Sequence, residues 1–137
     1  LNTDASELDD DGFLNALRSG ILPLSTFTHE AHIRLGWIHL TREPLEEAVK
    51  SVVQEIRNFV AVYGKEDKYH HTLTVAALYI LASRLGSSEN RSFRSFIDRN
   101  PDLLTDFKGI VGNHYSSERL SSPKATQEFV PPDLRPF

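Results

Sequence analysis

The sequence predicts an all-α protein: a compact bundle of five to seven helices with an extended, proline-rich C-terminal strap. Three observations predict it. Apolar residues recur at helical spacing in one segment after another, and each run is punctuated by Gly, Pro or a capping residue. No stretch alternates apolar and polar residues as a half-buried strand would. The ending VPPDLRPF, residues 130–137, holds three prolines, which remove the backbone donors that a helix or an inner strand needs.

The first helix covers residues 7–19, with Phe13, Leu14 and Leu17 at helical spacing and Gly20 as its stop, because glycine tolerates positive φ. After the ILPLS connection, Thr28 is placed to cap a second helix running to about Thr41, supported by Glu30 and Arg34 four residues apart. Pro44 suits the first turn of a third helix that runs to Tyr63 and ends at Gly64. There Leu45, Val49, Val52, Ile56, Phe59 and Tyr63 share one face while Glu46, Lys50, Gln54 and Arg57 share the other, the cleanest amphipathic pattern in the chain.

Asp67 is placed to cap a fourth helix from Lys68 to about Leu85, closed by Gly86. Its VAALYILA run is apolar nearly all round, which suits a central helix. Residues 92–99 form a short helix that ends where Asn100 precedes Pro101. A weaker pattern continues through Leu103, Leu104, Phe107, Ile110 and Val111, interrupted by Gly109 and Gly112, and residues 122–129 make a last short turn. Helices two, three and four are expected to form the core, with the first and later helices covering it and the strap closing one side.

At 137 residues, 39% hydrophobic and 25% charged, the chain fits a single all-α domain that buries its own core, with residues 1–6 flexible and 130–137 an extended tail. A net charge of -4 lacks the cationic excess that draws proteins onto phosphate backbones or anionic lipid, so neither nucleic acid nor membrane is an expected partner. With no cysteine there is no disulfide, thiolate ligand or thiol nucleophile. No apolar run approaches the roughly 18 residues that cross a bilayer, and LNTDASELDDDG is the opposite of a signal peptide, so a cytoplasmic protein is expected. The chain has no Met, and nothing is read from residue 1.

Four of the six histidines open two apolar segments, FTHEAHIRLGW at residues 27–37 and DKYHHTLT at 67–74. At about 100° per residue, the second helix has a solvated stripe of Glu30, Arg34 and Thr41, with His32 nearly opposite and His29, Gly36 and His39 close to it in angle. In the fourth helix Lys68, Thr72, Tyr79 and Ser83 take the wet side, His70, Thr74, Ala77 and Leu81 lie opposite, and His71 sits on the flank. Gly36 leaves room for another backbone or a bound group. Both clusters stand at helix starts, where the dipole favours neutral imidazole or a bound anion.

If helices two and four pack side by side, their starts bring His29, His32 and His70 together, with Thr74 nearby to complete a ligand-binding group. Three imidazoles with an open fourth position suit a divalent metal ion such as Zn²⁺ or Fe²⁺, which makes a nucleophilic water near neutral pH for hydrolysis or lyase chemistry. Without metal, the same pocket suits a small-molecule ligand. The competing reading makes the histidines structural, each satisfying a buried carbonyl or hydroxyl in a non-catalytic helical interaction module or homodimer. Among the other candidates, Arg34 reads as a surface partner of Glu30 and Trp37 as core. Tyr69 and Tyr115 read as tips at the core edge, and His114, in GNHYSS, as an exposed loop residue. Neither a G-x-S-x-G elbow nor a glycine-rich phosphate loop occurs.

Taken together, F-T-H-E-A-H-I-R-L-G-W, D-K-Y-H-H-T-L-T, N-P-D-L-L and F-V-P-P-D-L resemble an uncharacterised family of small all-α bacterial proteins with F-T-H-x-x-H-x-R-x-x-W and K-Y-H-x-T-x-T blocks. The likeness runs from about Ala16 to Leu134. It implies a bacterial, cytosolic protein and no particular activity. That family's pattern typically has Glu after the K-Y-H histidine. This chain has His71 there, which can serve as a ligand but not as an anion.

Overall fold

The computed structural model describes residues 7–86 and 92–137, so the expectation for residues 1–6 lies outside it. Among the described residues the chain is all-α, with no strand; five helices have seven residues or more and four are shorter. None of these is long and apolar enough to cross a membrane. The chain groups into two compact units, Leu1–Tyr69 and His70–Phe137.

In the first unit, α1 (Asp10–Arg18), α2 (His29–Arg42) and α3 (Leu45–Val62) are joined by short loops with single 3-10 turns at Leu24–Thr26 and Glu66–Lys68. α1 starts later than its apolar pattern suggests because Asp9 caps it. The Asp9 carboxylate accepts from the Gly12 N–H at 2.7 Å, and Asp10 and Asp11 add negative charge at the positive end of the helix dipole. Gly20 turns the chain at φ +76°, strained for any residue with a Cβ, and the Ile21 and Leu22 N–H groups close the helix end on the Ala16 carbonyl. Thr28 caps α2 where its position predicts, accepting from the Ala31 N–H at 3.3 Å. Pro44 stands one position before α3 instead of inside its first turn.

α3 packs against both α1 and α2. Phe13, Leu17, Leu22, Leu35, Ile38, Val52 and Phe59 are each no more than 2% exposed, and burying each such side chain stabilises the fold by about 1.5–3 kcal/mol. Phe59 meets Phe27 edge-on with ring centroids 4.9 Å apart, and the Tyr63 hydroxyl beside it donates to the Leu22 carbonyl at 2.7 Å. Arg34 donates to the Leu8 carbonyl at 2.7 Å and to the Asp10 carboxylate at 2.9 Å, with its guanidinium over the Phe13 ring. It therefore ties α2 to the start of α1 and is not a member of a solvated stripe.

The second unit holds α4 (His71–Leu85), α5 (Phe93–Arg99), α6 (Asp102–Thr105), α7 (Phe107–Gly112), α8 (Ser117–Leu120) and α9 (Pro123–Gln127). α4 does not begin at Lys68 under an Asp67 cap: Glu66–Lys68 is a 3-10 turn, and the cap is the ring of His70. α9 packs on both α4 and α8, and α6 on α7. The weak pattern beyond Pro101 breaks at Asp106, where the backbone leaves helical geometry between α6 and α7. Leu81, Phe96 and Leu103 are fully buried.

The C-terminal strap, residues 130–137, is free of helix as its prolines predict, and side chains hold it down. The Thr72 hydroxyl donates to the Glu128 carbonyl at 2.8 Å and accepts from the Val130 N–H at 3.1 Å. The Tyr115 hydroxyl donates to the Val130 carbonyl at 2.6 Å, and burial pushes its pKa up to about 12. Arg119 donates to the Pro131 carbonyl at 2.6 Å, and Ser116 donates to the Asp133 carboxylate through both its N–H and its hydroxyl. Thr72, on the wet side of a bare helical wheel, is fully buried because this segment supplies both partners of its hydroxyl.

Replacing Thr72 with Val keeps the side-chain shape but strands the Val130 N–H and the Glu128 carbonyl. Thr72→Val is expected to destabilise the protein by about 1–3 kcal/mol and to speed amide exchange at Val130. Unchanged exchange there would show that the strap holds without the hydroxyl.

Candidate functional site

His29 and His32 lie in the first turn of α2. His29 is exposed, as first residue of the helix. His32 does not point into the core: its ring lies on the face of Phe27, centroids 3.9 Å apart and planes 26° from parallel, while Nδ1–H donates to the Thr28 carbonyl at 2.9 Å. Phe27 and His32 flank the cap at the positions where a hydrophobic staple fixes the chain's entry into a helix. Desolvation by the surrounding protein pulls the His32 pKa below 6.5, helped by the neighbouring charge of His29 and opposed by the bond to Thr28. By surface area the residue is nonetheless exposed, so this desolvation is partial and the ring keeps a wet edge.

His70 is committed to the backbone at both ring nitrogens. Nδ1 accepts from the Leu73 N–H at 3.1 Å, capping α4, and Nε2–H donates to the Leu120 carbonyl at 2.8 Å, tying the start of α4 to the end of α8. One nitrogen accepting and the other donating is the arrangement of a neutral ring, and a metal ion could bind either nitrogen only by displacing one of these bonds. Thr74 donates its hydroxyl to the His70 carbonyl one turn back at 2.9 Å. His71, the first residue of α4, is half-buried. Among the described residues no group of three or more His, Asp or Glu side chains is placed to hold a metal ion.

The most tightly held histidine is one that the sequence reading left among several on an inner face. His39, in the last turn of α2, is 5% exposed, with Nδ1 2.5 Å from Glu43 Oε2 and Nε2 2.8 Å from Glu55 Oε1. Two carboxylates on opposite nitrogens require two N–H donors, so the ring is an imidazolium. Glu55 also accepts from Arg18 Nε at 2.7 Å, and Glu43 from the Ser51 hydroxyl at 3.0 Å, which extends the chain of bonds from α1 to α3. Desolvation by burial is the largest single influence on His39 and pulls its pKa down, but the bonds and charges of Glu55 and Glu43 together outweigh it and raise it. Glu55 mirrors this: burial pushes its carboxyl up, and His39 and Arg18 more than reverse the push.

In the second unit a cleft of about 550 Å³ lies among α4, α6, α7 and the end of the strap. Arg84, on α4, is bound in a two-pronged ion pair to Asp102 at 2.9 Å for each nitrogen, and its Nη1 also reaches Asn100 Oδ1 at 3.1 Å. Those bonds hold the Asp102 carboxyl below its ordinary pKa. Around this pair stand groups with hydrogen-bonding capacity to spare. Asp106 lines the cleft with no side-chain hydrogen bond or ion pair among the described residues, and Asn113, at the end of α7, likewise has none for its amide.

His114 completes this rim. Its Nδ1–H donates to the Arg135 carbonyl at 2.8 Å while its own carbonyl accepts from the Leu134 N–H at 3.0 Å, so the strap latches the residue twice. With Nδ1 carrying the proton, Nε2 is the nitrogen that accepts whenever the ring is neutral. An aromatic wall stands beside it: the Phe137 ring stacks on Tyr79 at 5.3 Å and lies 4.7 Å from the His114 ring. This arrangement can accept hydrogen bonds or a proton from a bound molecule, which an exposed loop histidine without a neighbouring cavity cannot do selectively. Its only sign in the sequence is the company of GNHYSS and an aromatic, proline-rich ending, since the pairing of His114 with Arg135 is a tertiary event. The chain matches no protein-family model, no curated protein and no solved structure.

The His39 cluster gives a pH dependence of definite sign. The folded pKa of His39 is raised, so its contribution to stability is complete below pH 6.5 and is lost as pH rises through the folded value. The folded pKa of Glu55 is lowered, so its contribution is complete above pH 4.5 and is lost as pH falls through the folded value. Both are complete between those limits. His39→Ala, which leaves two carboxylates facing each other, is expected to cost roughly 3–5 kcal/mol in urea denaturation. The stability difference between wild type and His39→Gln is expected to shrink as pH rises above 6.5; a difference independent of pH would contradict the imidazolium.

Proposed function

We propose that this protein binds a small polar molecule in the cleft among α4, α6, α7 and the strap, with Asp106, Asn113 and His114 as its contacts. The observation that carries this reading is the convergence of three polar side chains with unused hydrogen-bonding capacity on one cavity. A cleft of about 550 Å³ falls in the size range of small-molecule sites. The reading keeps a histidine-lined ligand site but rests it on His114, leaving His70 and Thr74 as parts of the α4 start and His32 as part of the α2 start.

Fragment titration followed by ¹H–¹⁵N NMR tests it. Shift changes are expected to cluster at Gly109, Asn113 and His114, and to vanish in the double variant Asn113→Ala, His114→Ala with the fold unchanged. Hits confined to the first turn of α2 would contradict the reading.

The alternative of an interaction module has one observation in its favour. Ile21 and Val62 are 69% and 62% exposed, and Val62 lies 3.4 Å from where a Cβ on Gly20 would stand, next to Ile21. Should that apolar spot mediate homodimers, the molar mass in light scattering rises with concentration and Val62→Lys abolishes the rise.

A further inference from the structure

We infer that the ligand of this cleft is an organic ammonium, with Asp106 as its counter-ion and Gly109 as the residue that sets the counter-ion's position. The inference rests on the reading of the cleft as a ligand site, and it follows from which groups there are already spent. The guanidinium of Arg84 is the obvious handle for an anion, but Asp102 takes it with both carboxylate oxygens and Asn100 takes a third bond. Of the charged side chains that line the cleft, Arg84 and Asp102 neutralise each other, and Asp106 alone has no ionic partner among the described residues; the Asn113 amide, the Tyr79 hydroxyl and His114 Nε2 add hydrogen-bonding groups around it. The Ser83 hydroxyl, already donating to the Ile80 carbonyl at 2.7 Å, can only accept. A ligand that brings positive charge and an N–H donor satisfies Asp106, whereas a carboxylate or phosphate meets its charge.

The aromatic wall points the same way. Tyr79 and Phe137 form a stacked pair at the edge of the cleft, and the face of an aromatic ring attracts a cation. A carboxylate and two aromatic rings lining one cavity make a setting for R–NH₃⁺ or a methylated ammonium.

Gly109 leaves the room that the Asp106 carboxylate occupies. Asp106 precedes α7 in a non-helical conformation, and its side chain lies against the first turn of that helix. A Cβ on Gly109 would come 2.5 Å from each carboxylate oxygen. Glycine inside a helix otherwise costs stability relative to alanine. Gly109→Ala is therefore expected to fold at least as well as wild type while displacing the carboxylate and weakening the ligand, a combination that a merely structural glycine would not give.

The test titrates the protein at pH 7 and fixed ionic strength with benzylammonium, benzyl alcohol and benzoate, three probes of one shape and different charge, and follows the Gly109, Asn113 and His114 resonances. Benzylammonium is expected to bind most tightly, and Asp106→Asn and Gly109→Ala are each expected to weaken it by about tenfold or more. Preference for benzoate, or unchanged benzylammonium binding in Asp106→Asn, overturns the ammonium assignment while leaving the cleft a ligand site. Silence of the cleft resonances towards all three probes overturns both.

Discussion

A ring nitrogen buried away from water needs a partner, and that requirement decides what each histidine of this protein can do. An unsatisfied buried polar group costs about 1–3 kcal/mol, comparable with a good part of a small protein's net stability. His39 meets the requirement with two carboxylates and becomes a cation held between α2 and α3. His70 meets it with two backbone groups and remains neutral, joining the start of α4 to the end of α8. In each case the nitrogens are consumed by the fold. His114 has one nitrogen latched and one in reserve beside a cavity, which is why the chemistry is assigned to it.

The same requirement separates what was legible in the sequence from what was not. The long helices follow from local signals: Thr28 as cap of α2, Pro44 ahead of α3, the positive-φ turns at Gly20 and Gly64, and the one-sided apolar pattern between Leu45 and Val62. These are interactions within a few residues, and the all-α class and the helix-free strap follow from them. The α4 start was misplaced because Asp67 is an ordinary cap residue and a histidine ring is a rare one. His70 wins since its other nitrogen also gains the Leu120 carbonyl, 50 residues away in the chain. Thr72 was turned towards water for the same reason. A helical wheel knows the direction of a side chain but not that Glu128 and Val130 will come to cover it.

The candidate site was legible only in kind. Helix periodicity draws attention to the histidine clusters that open α2 and α4, and there the rings of His32 and His70 serve a turn and a cap. Glu43 stands only four residues from His39, whereas Glu55 and Arg18, which make the cluster a continuous chain of charges, come from other helices. The cleft is farther still from sequence, since it needs α6, α7 and the end of the strap in register with α4. Short helices broken at Asp106 and latched by His114 produce concavity that a longer continuous helix would fill. Of the two glycines that weaken the helical pattern in this stretch, Gly109 leaves room for the Asp106 carboxylate.

The central claim, that the fold assigns every proton on these rings, is tested most directly by side-chain ¹⁵N NMR of the histidines near neutral pH. The geometry predicts His39 with both nitrogens protonated, His70 as the neutral Nε2–H form, and Nδ1–H on His32 and His114. A neutral His39, or a His70 carrying its proton on Nδ1, would contradict the account.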